Sequence, residues 1–162
     1  MTVESDREAI AHYYETIDRV TRVDGRSFHV DRKPLGEVMV LFEDNASYAR
    51  EGHPTFEGKA AIEDFFAHKR PLSGSHHVAS IIASPGKGEN ETNIIVHGQF
   101  IGAHYRTRPS LHHSEPRTVL KSTDTTLDFV DYWQMRDGKV VSRESSILPA
   151  VKLERTGNVN SY

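Results

Sequence analysis

The sequence predicts an α+β fold in which N-terminal helices pack on one face of a strongly curved, mostly antiparallel sheet, giving a cone-shaped α+β barrel. Apolar residues recur at helical spacing in the first 70 residues, whereas alternating patterns and hairpin turns dominate from residue 75 onward. Helices followed by an antiparallel meander are typical of α+β domains. With 162 residues and no internal repeat or linker, we expect one domain over 1–162, with a polar tail from about residue 150.

The first helix is predicted over about residues 5–20. Ser5 can cap it, and Glu8 three residues later can complete a capping box. Apolar and aromatic residues then follow at helical spacing, and they include Tyr13 and Tyr14, which we expect to face the interior.

Two further helices are predicted before the sheet. Segment 21–33 is polar and irregular and is expected to be a loop. Pro34 can start the second helix, because its missing N–H costs nothing in the first turn, and Phe42 ends the apolar stripe of that helix. The third helix is predicted over 58–71, since Pro71 stops it after a basic last turn.

Alternating apolar residues predict a series of strands in the rest of the chain. Two short strands are expected over 46–50 and 54–58. Long strands are predicted over 75–84, 92–105, 118–136 and 139–148. An Asp-Gly pair joins the last two strands, which indicates a tight hairpin turn.

Composition excludes several classes of function. The formal net charge is -3 and no basic run is present, so a nucleic-acid partner is not expected. No apolar run approaches the roughly 20 residues that span a bilayer, so we expect no membrane partner and a cytoplasmic location. There is no cysteine, and the 10 histidines form neither an H-x-H nor an H-E-x-x-H motif, so no thiol nucleophile, metal site or cofactor is expected.

One acidic residue falls in the row of a long strand that should be buried. Asp131 alternates with Phe129 and Trp133, so the three side chains are expected on one face. Apolar neighbours disfavour the charged form of a carboxyl group. Asp131 is therefore either a catalytic or ligand-binding group, or a buried carboxylate paired with a basic residue such as Arg50 or Arg143.

Five short motifs in a fixed order resemble one known superfamily. The motifs are LFEDNASYA, FEGKAAIEDFF, HHVASI, GQFIG and FVDYWQMRDGKVV, and the resemblance covers about residues 8–148. It is to the nuclear transport factor two-like (NTF2-like) superfamily, and within it to the SnoaL-like polyketide cyclases and the ketosteroid isomerase-like proteins. The resemblance implies the cone-shaped fold but no single reaction, since this fold hosts isomerases, dehydratases, cyclases, hydrolases and binding domains.

The resemblance implies roles for several residues. In ketosteroid isomerase-like proteins, the acid at the position resembling Asp131 stays protonated and donates a hydrogen bond to a developing oxyanion. The second donor there is a helix tyrosine, and Tyr13 stands at the similar position. A tyrosine followed five residues later by an aspartate, here Asp18, resembles related dehydratases, whose site also contains a strand histidine. The matching histidine is His77, or His76 if the register differs by one residue.

Other positions modify these expectations. The isomerase-like proteins carry their proton-shuttling aspartate where this sequence has Arg50, so ketosteroid isomerase activity itself is not expected. His97 and Gln99 share one face of their strand. His97 is a candidate acid or base if that face lines the pocket, and otherwise it is exposed. Trp133 is expected to form a pocket wall.

The sequence therefore predicts a cofactor-independent acid–base enzyme that acts on a hydrophobic, oxygenated, polyketide- or steroid-like small molecule by cyclisation, isomerisation or dehydration. The predicted catalytic residues are Asp131, Tyr13, His77, Asp18 and His97. The predicted substrate-binding residues are Tyr14, Tyr48, Arg50, His76, Gln99, Phe129, Trp133 and Glu144. The alternative is a non-catalytic small-molecule-binding or assembly module, and in either case the resemblance implies a homodimer.

Overall fold

The computed structural model describes residues 2–109 and 115–149. Within them, the helices are α1 (Val3–Ile17), α2 (Arg32–Met39) and α3 (Lys59–Asp64), and α3 continues into a π-helical turn (Phe65–Lys69). The strands are β1 (Thr21–Asp24), β2 (Ser27–Val30), β3 (Phe42–Arg50), β4 (Phe56–Glu57), β5 (Leu72–Pro85), β6 (Glu91–Thr107), β7 (Arg117–Arg136) and β8 (Lys139–Pro149). The polar tail expected from residue 150 lies outside the described residues. None of the described helices is long and apolar enough to cross a bilayer.

The strands form one mixed sheet that curls strongly into a half-barrel. Its path is β1-β2-β7-β8-β3-β4, and β6 with β5 branches from β7. Among the described strands, β3 and β8 pair in parallel and every other pair is antiparallel. With three helices on the sheet, the predicted cone-shaped α+β architecture is confirmed.

The core lies between the concave face of the sheet and the helices. Inward-facing residues of β6 and β7 alternate with exposed ones, so Ile94, Val96 and Trp133 are fully buried. α1 packs against β5 and buries Ile10 and Ile17. Burying an apolar side chain of this size contributes about 1.5–3 kcal/mol, so α1 is held firmly inside the cone.

The first helix begins earlier than predicted, and the expected cap at Ser5 is wrong. The N-cap is Thr2, whose Oγ1 accepts the backbone N–H of Ser5 at 2.9 Å. The Ser5 hydroxyl in turn accepts the backbone N–H of Thr2 at 2.9 Å. These bonds satisfy N–H groups that the first turn of a helix otherwise leaves without partners. The helix ends at Ile17, and Asp18 follows as its C-cap.

The loop expected over 21–33 is also wrong, because β1 and β2 form a hairpin there. Gly25 has a φ of 61° in the turn, a conformation that glycine adopts at little cost. Phe28 and Val30 are buried and alternate with more exposed residues. Because β2 pairs with the start of β7, the larger sheet stabilises this polar hairpin.

The second helix differs from the prediction at both ends. It begins at Arg32, so Pro34 lies inside its first turn rather than at its start. Phe42 is the first residue of β3 and not the last apolar residue of the helix, and its side chain is buried. The chain therefore leaves the helix earlier than its apolar spacing predicts.

The third helix is α-helical only in its first half. After Asp64 the backbone widens into the π-helical turn, which Arg70 ends. The wider turn buries Phe65 and Phe66 next to each other. Arg70 follows directly and is buried as well, with only 6% of its surface exposed.

Candidate active site

The cone encloses a cavity between α1, the π-helical turn and the concave face of the sheet. The centre of a water-sized sphere can occupy about 30 Å³ of it, and we call it the inner cavity. Apolar residues that line it include Leu72, Phe100, Leu127 and Phe129. Its polar floor, as we call it, consists of Tyr13, Tyr48, Asp131, Arg143 and Ser145. An apolar hollow with a few convergent polar groups is the usual form of a ligand site.

A second cavity adjoins the first, and the centre of a water-sized sphere can occupy about 440 Å³ of it. We call it the outer cavity. The two cavities share Arg50, Arg70, Leu72 and Leu127, which therefore mark the boundary between them. A ligand larger than the inner cavity would extend past these four residues into the outer one.

Asp131 lies in the polar floor with 1% of its surface exposed. Its Oδ2 accepts hydrogen bonds from Tyr14 Oη and, at 2.8 Å, from Arg143 Nη2. Its Oδ1 accepts one from Ser145 Oγ at 2.6 Å. Three donors aimed at these two oxygens match an ionised carboxylate, which only accepts hydrogen bonds. The arrangement thus fits the alternative in which Asp131 is ionised and paired with Arg143, not the one in which it is protonated and donates to an oxyanion. Arg50 is not the partner of Asp131.

Arg143 forms the centre of the floor. β8 directs it inward, and its guanidinium lies 4.4 to 4.9 Å from the ring centres of Trp133, Tyr48 and Tyr13. Its Nη1 donates a hydrogen bond to Tyr13 Oη at 2.5 Å. The carboxylate of Asp131 and three aromatic faces therefore hold this buried cation in one position.

The two adjacent tyrosines of α1 have different roles in the hydrogen-bond network. Tyr14 Oη donates to Asp131 and accepts from Trp133 Nε1 at 3.0 Å, so it is satisfied within the floor. Tyr13 Oη accepts from Arg143, which leaves its own proton available to a ligand. Burial raises the pKa of Tyr13 to about 12, although Arg143 opposes the rise, so Tyr13 stays a donor at neutral pH.

Tyr48 lies in a more positive environment. Its hydroxyl accepts a hydrogen bond from Arg50 Nη1 at 3.1 Å and lies 3.3 Å from Ser145 Oγ. Burial alone would raise the pKa of Tyr48, but the positive charges of Arg143 and Arg50 outweigh it and lower the pKa. Tyr48 is therefore a stronger acid than Tyr13 in the same cavity.

His76 and Asp18 form a pair at the edge of the inner cavity. Asp18 Oδ1 lies 2.6 Å from His76 Nδ1, and Asp18 Oδ2 accepts the backbone N–H of His76 at 2.9 Å. A carboxylate partner places the ring proton on Nδ1, and Nε2 has no hydrogen-bond partner among the described residues. Burial lowers the pKa of His76, although the hydrogen bond to Asp18 opposes this. His76 is therefore neutral at pH 7, with Nε2 free to take a proton.

No protein-family model and no curated protein matches the sequence. Several solved structures nevertheless share this architecture. A candidate isomerase from Bacillus subtilis aligns over 97% of this chain and 96% of its own, at 19% identity and a TM-score of 0.61. A candidate SnoaL-like polyketide cyclase from Shewanella putrefaciens aligns over 88% of this chain and 88% of its own, at 10% identity and a TM-score of 0.59. An NTF2-like protein from Novosphingobium aromaticivorans aligns over 94% of this chain and 85% of its own, at 17% identity and a TM-score of 0.56. The chain has the NTF2-like fold.

Identities this low establish the shared fold alone, because NTF2-like proteins carry different reactions on one architecture. The chemistry of this NTF2-like cavity therefore depends on the residues that line it. In the described part of the chain, no three histidine or acidic side chains cluster closely enough to hold a metal ion.

Four predicted site residues face away from the NTF2-like cavity, and their expected places in it are wrong. His76 pairs with Phe100 and His77 with Gln99 across β5 and β6. Because side chains alternate along a strand, His77 and Gln99 project from the outer face. His97 is exposed on that face too, and Glu144 is exposed on β8. Gln99 donates to Asp128 there at 3.0 Å.

The remaining predicted residues gather in or behind the cavity. Those that line it are Tyr13, Tyr48, Arg50, His76, Phe129 and Asp131. Those that support it from behind are Tyr14, Asp18 and Trp133, so the expected place of Trp133 in the pocket wall is wrong.

Of the polar lining residues, the sequence did not place Ser145 or Arg70 at the cavity, and it indicated Arg143 only as a possible ion-pair partner of Asp131. Alternation along β8 from Arg143 could have found Ser145, since residues two apart share a face. Arg70 gave no such signal, because a basic residue at the end of a helix is ordinarily explained by the helix dipole.

Proposed function

We propose that the protein is a cofactor-independent acid–base enzyme that isomerises, cyclises or dehydrates a hydrophobic, oxygenated small molecule. The observation that supports this most is the His76–Asp18 pair at the cavity that Tyr13 also lines. His76 supplies a neutral base and Tyr13 supplies a protonated hydroxyl donor, and both line the same apolar space.

The proposed reaction begins with His76. Its Nε2 takes a proton from a carbon next to the substrate carbonyl, the C–H electron pair moves into the enolate, and Tyr13 donates a hydrogen bond to the enolate oxygen. Asp18 stabilises the imidazolium that forms. Return of the proton to another carbon completes an isomerisation. Its transfer to a departing hydroxyl, which leaves as water, completes a dehydration. Attack of the enolate carbon on a second carbonyl forms a C–C bond and an alkoxide, and return of the proton to that alkoxide completes a cyclisation.

Asp131 becomes a positioning residue in this proposal rather than an acid. Its carboxylate holds Arg143, and Arg143 donates to the Tyr13 hydroxyl. Donation to an oxygen strengthens the hydrogen bond that the same hydroxyl gives, so Arg143 makes Tyr13 a better donor. The buried carboxylate thus acts on the substrate through two intermediate groups.

The proposal is tested by proton exchange. The protein is incubated in D2O with a panel of cyclic ketones, and deuterium uptake next to the carbonyl is followed by NMR. We expect uptake with the wild type and its loss in His76→Asn, while His97→Asn, changed on the outer face, retains it. Uptake that is equal in His76→Asn would remove His76 from the reaction.

The alternative function is a non-catalytic binding module, and the position of Arg50 favours it. Arg50 lines the inner cavity, and the resemblance in sequence implies that it stands where the isomerase-like proteins have their base. Ligand-induced thermal stabilisation without deuterium uptake or product would support this alternative.

We also propose that the protein is a homodimer. The outer face of the sheet exposes Ile82, Ile95, Val130 and Leu148, each by 45% or more. Large apolar side chains exposed on one sheet face favour association with a second protein surface.

A further inference from the structure

We propose that the ligand of this cavity carries a carboxylate, which Arg70 binds at the boundary between the inner and outer cavities with Arg50 beside it. The inference rests on the proposed function only in taking the ligand to be the substrate. It narrows the substrate class from a hydrophobic oxygenated compound to a hydrophobic carboxylic acid, such as a keto or hydroxy acid.

Arg70 is the observation that points to an anion. It lines both cavities with 6% of its surface exposed, so it is more than nine-tenths buried. It forms no hydrogen bond or ion pair with any described residue, and its guanidinium lies 6.0 Å from the centre of the Phe100 ring. Arginine does not lose its charge at neutral pH, and a buried unpaired charge is costly. A bound anion would satisfy Arg70.

The surrounding charges reinforce this inference. Arg50 and Arg143 also line the inner cavity, so three guanidinium groups face it. Among the described residues, the one carboxylate in its lining is Asp131, which is already satisfied by Arg143, Tyr14 and Ser145. Burial lowers the pKa of Arg70, and the positive charges of Arg50 and Arg143 lower it too, although Tyr13 and Tyr48 oppose this. The lining therefore carries an uncompensated positive charge.

The outer cavity shows the same sign of charge. Lys69 lines it together with Arg50 and Arg70, and none of its lining residues in the described part of the chain is acidic. Lys69 pairs with Asp64, whereas the hydrogen bond of Arg50 goes to the neutral hydroxyl of Tyr48. An anion entering from this side meets attraction and no opposing carboxylate.

The boundary fits a carboxylate better than a phosphate. A planar guanidinium binds the two oxygens of a carboxylate with two parallel hydrogen bonds. A phosphate monoester brings a second charge and a third terminal oxygen, and apolar Leu72, Leu127 and Phe100 occupy the surrounding wall. The same wall suits the hydrocarbon body of a carboxylic acid.

The test compares benzoate with benzamide, which has the same shape without the charge. Melting temperature and affinity are measured by calorimetry at constant ionic strength, for the wild type, Arg70→Met and the control Arg136→Met. Arg136 is an exposed arginine paired with Glu43 outside both cavities. We expect benzoate to stabilise the wild type and benzamide to bind about tenfold or more weakly, as loss of one charge-assisted contact implies.

Arg70→Met should abolish the preference for benzoate without lowering the melting temperature of the unliganded protein, because it removes an unpaired buried charge. Arg136→Met should keep the preference. The proposal is overturned if wild type shows no preference for benzoate, if Arg70→Met retains it, or if inorganic phosphate binds more tightly than benzoate. The readout needs no turnover, so loss of deuterium uptake with a persisting benzoate preference would reject the proposed enzyme and leave this site standing.

Discussion

Arg143 and Asp131 form a buried ion pair, with Nη2 2.8 Å from Oδ2, although they are not opposite each other in the sheet. The residue paired with Asp131 across β7 and β8 is Ser145, and the one paired with Arg143 is Trp133. The guanidinium therefore reaches diagonally across the hairpin, over the ring of Trp133. Both side chains are 5% exposed or less, so the contribution of this pair to stability depends on its geometry and not on contact with solvent.

Removing one member of this pair should destabilise the protein strongly. Arg143→Met leaves the Asp131 carboxylate buried without its cation, and we expect the free energy of unfolding to fall by about 3–5 kcal/mol in urea titrations. Arg136→Met, which breaks the exposed pair with Glu43, should cost about 1 kcal/mol or less. Equal losses of unfolding free energy in the two variants would show that the buried pair contributes no more to stability than the exposed pair.

His76 should make stability depend on pH in a defined direction. Its pKa in the folded protein lies below the ordinary 6.5, so the unfolded chain binds more protons in this range. Its contribution to stability is therefore complete above 6.5 and is lost as the pH falls through the lowered value. Between about pH 7 and about pH 5, the wild type should lose more stability than His76→Gln. His97→Gln, changed at an exposed position, should follow the wild type.

Tyr13 should matter to the rate more than to substrate binding. If its hydroxyl donates to the developing oxyanion, Tyr13→Phe lowers kcat by about 100- to 1000-fold and changes KM little. Tyr132→Phe, on the outer face of the same sheet, provides the matched control. A change confined to KM would indicate that Tyr13 holds the ground state instead.

Asp18→Asn should separate positioning from proton transfer. The hydrogen bond to Asp18 raises the pKa of His76, against the effect of burial. Without the carboxylate, the pKa falls further, so the acidic limb of the profile of kcat/KM against pH should move to lower pH. The plateau should fall at the same time, because a weaker base takes the proton more slowly. An unmoved limb would mean that a different group titrates.

The oligomeric state can be measured directly by light scattering at micromolar concentration. A dimer is expected, and Val130→Lys, which places a charge on the apolar outer face, should convert it to a monomer. Val40→Lys adds the same charge at a residue that is 62% exposed elsewhere and should leave the dimer intact. A wild-type monomer would contradict the proposal.

The sequence was most informative where periodicity was strong. Alternation along β7 predicts that Asp131 points inward with Phe129 and Trp133, and all three are buried. A strand with a regular repeat fixes the face of every side chain once one is known. The helix pattern likewise placed Tyr13 and Tyr14 in the interior.

Other features could not be predicted because they depend on distant residues. The state of Asp131 is set by Arg143 and Ser145, which reach it only after the β7–β8 hairpin has formed with its irregular register. The choice between His76 and His77 depends on one residue of register in β5, where an irregularity follows Val78. Nothing local to a histidine pair distinguishes these alternatives.

The single tryptophan of the chain, Trp133, is fully buried and donates to Tyr14 directly beneath the cavity. An indole in this position emits in the ultraviolet at a wavelength and intensity that respond to nearby charge. Since the Arg143 guanidinium lies 4.4 Å from its ring, any guest that shifts that cation should change the fluorescence. The protein thus contains its own optical probe of occupancy, and no label has to be attached to follow a titration.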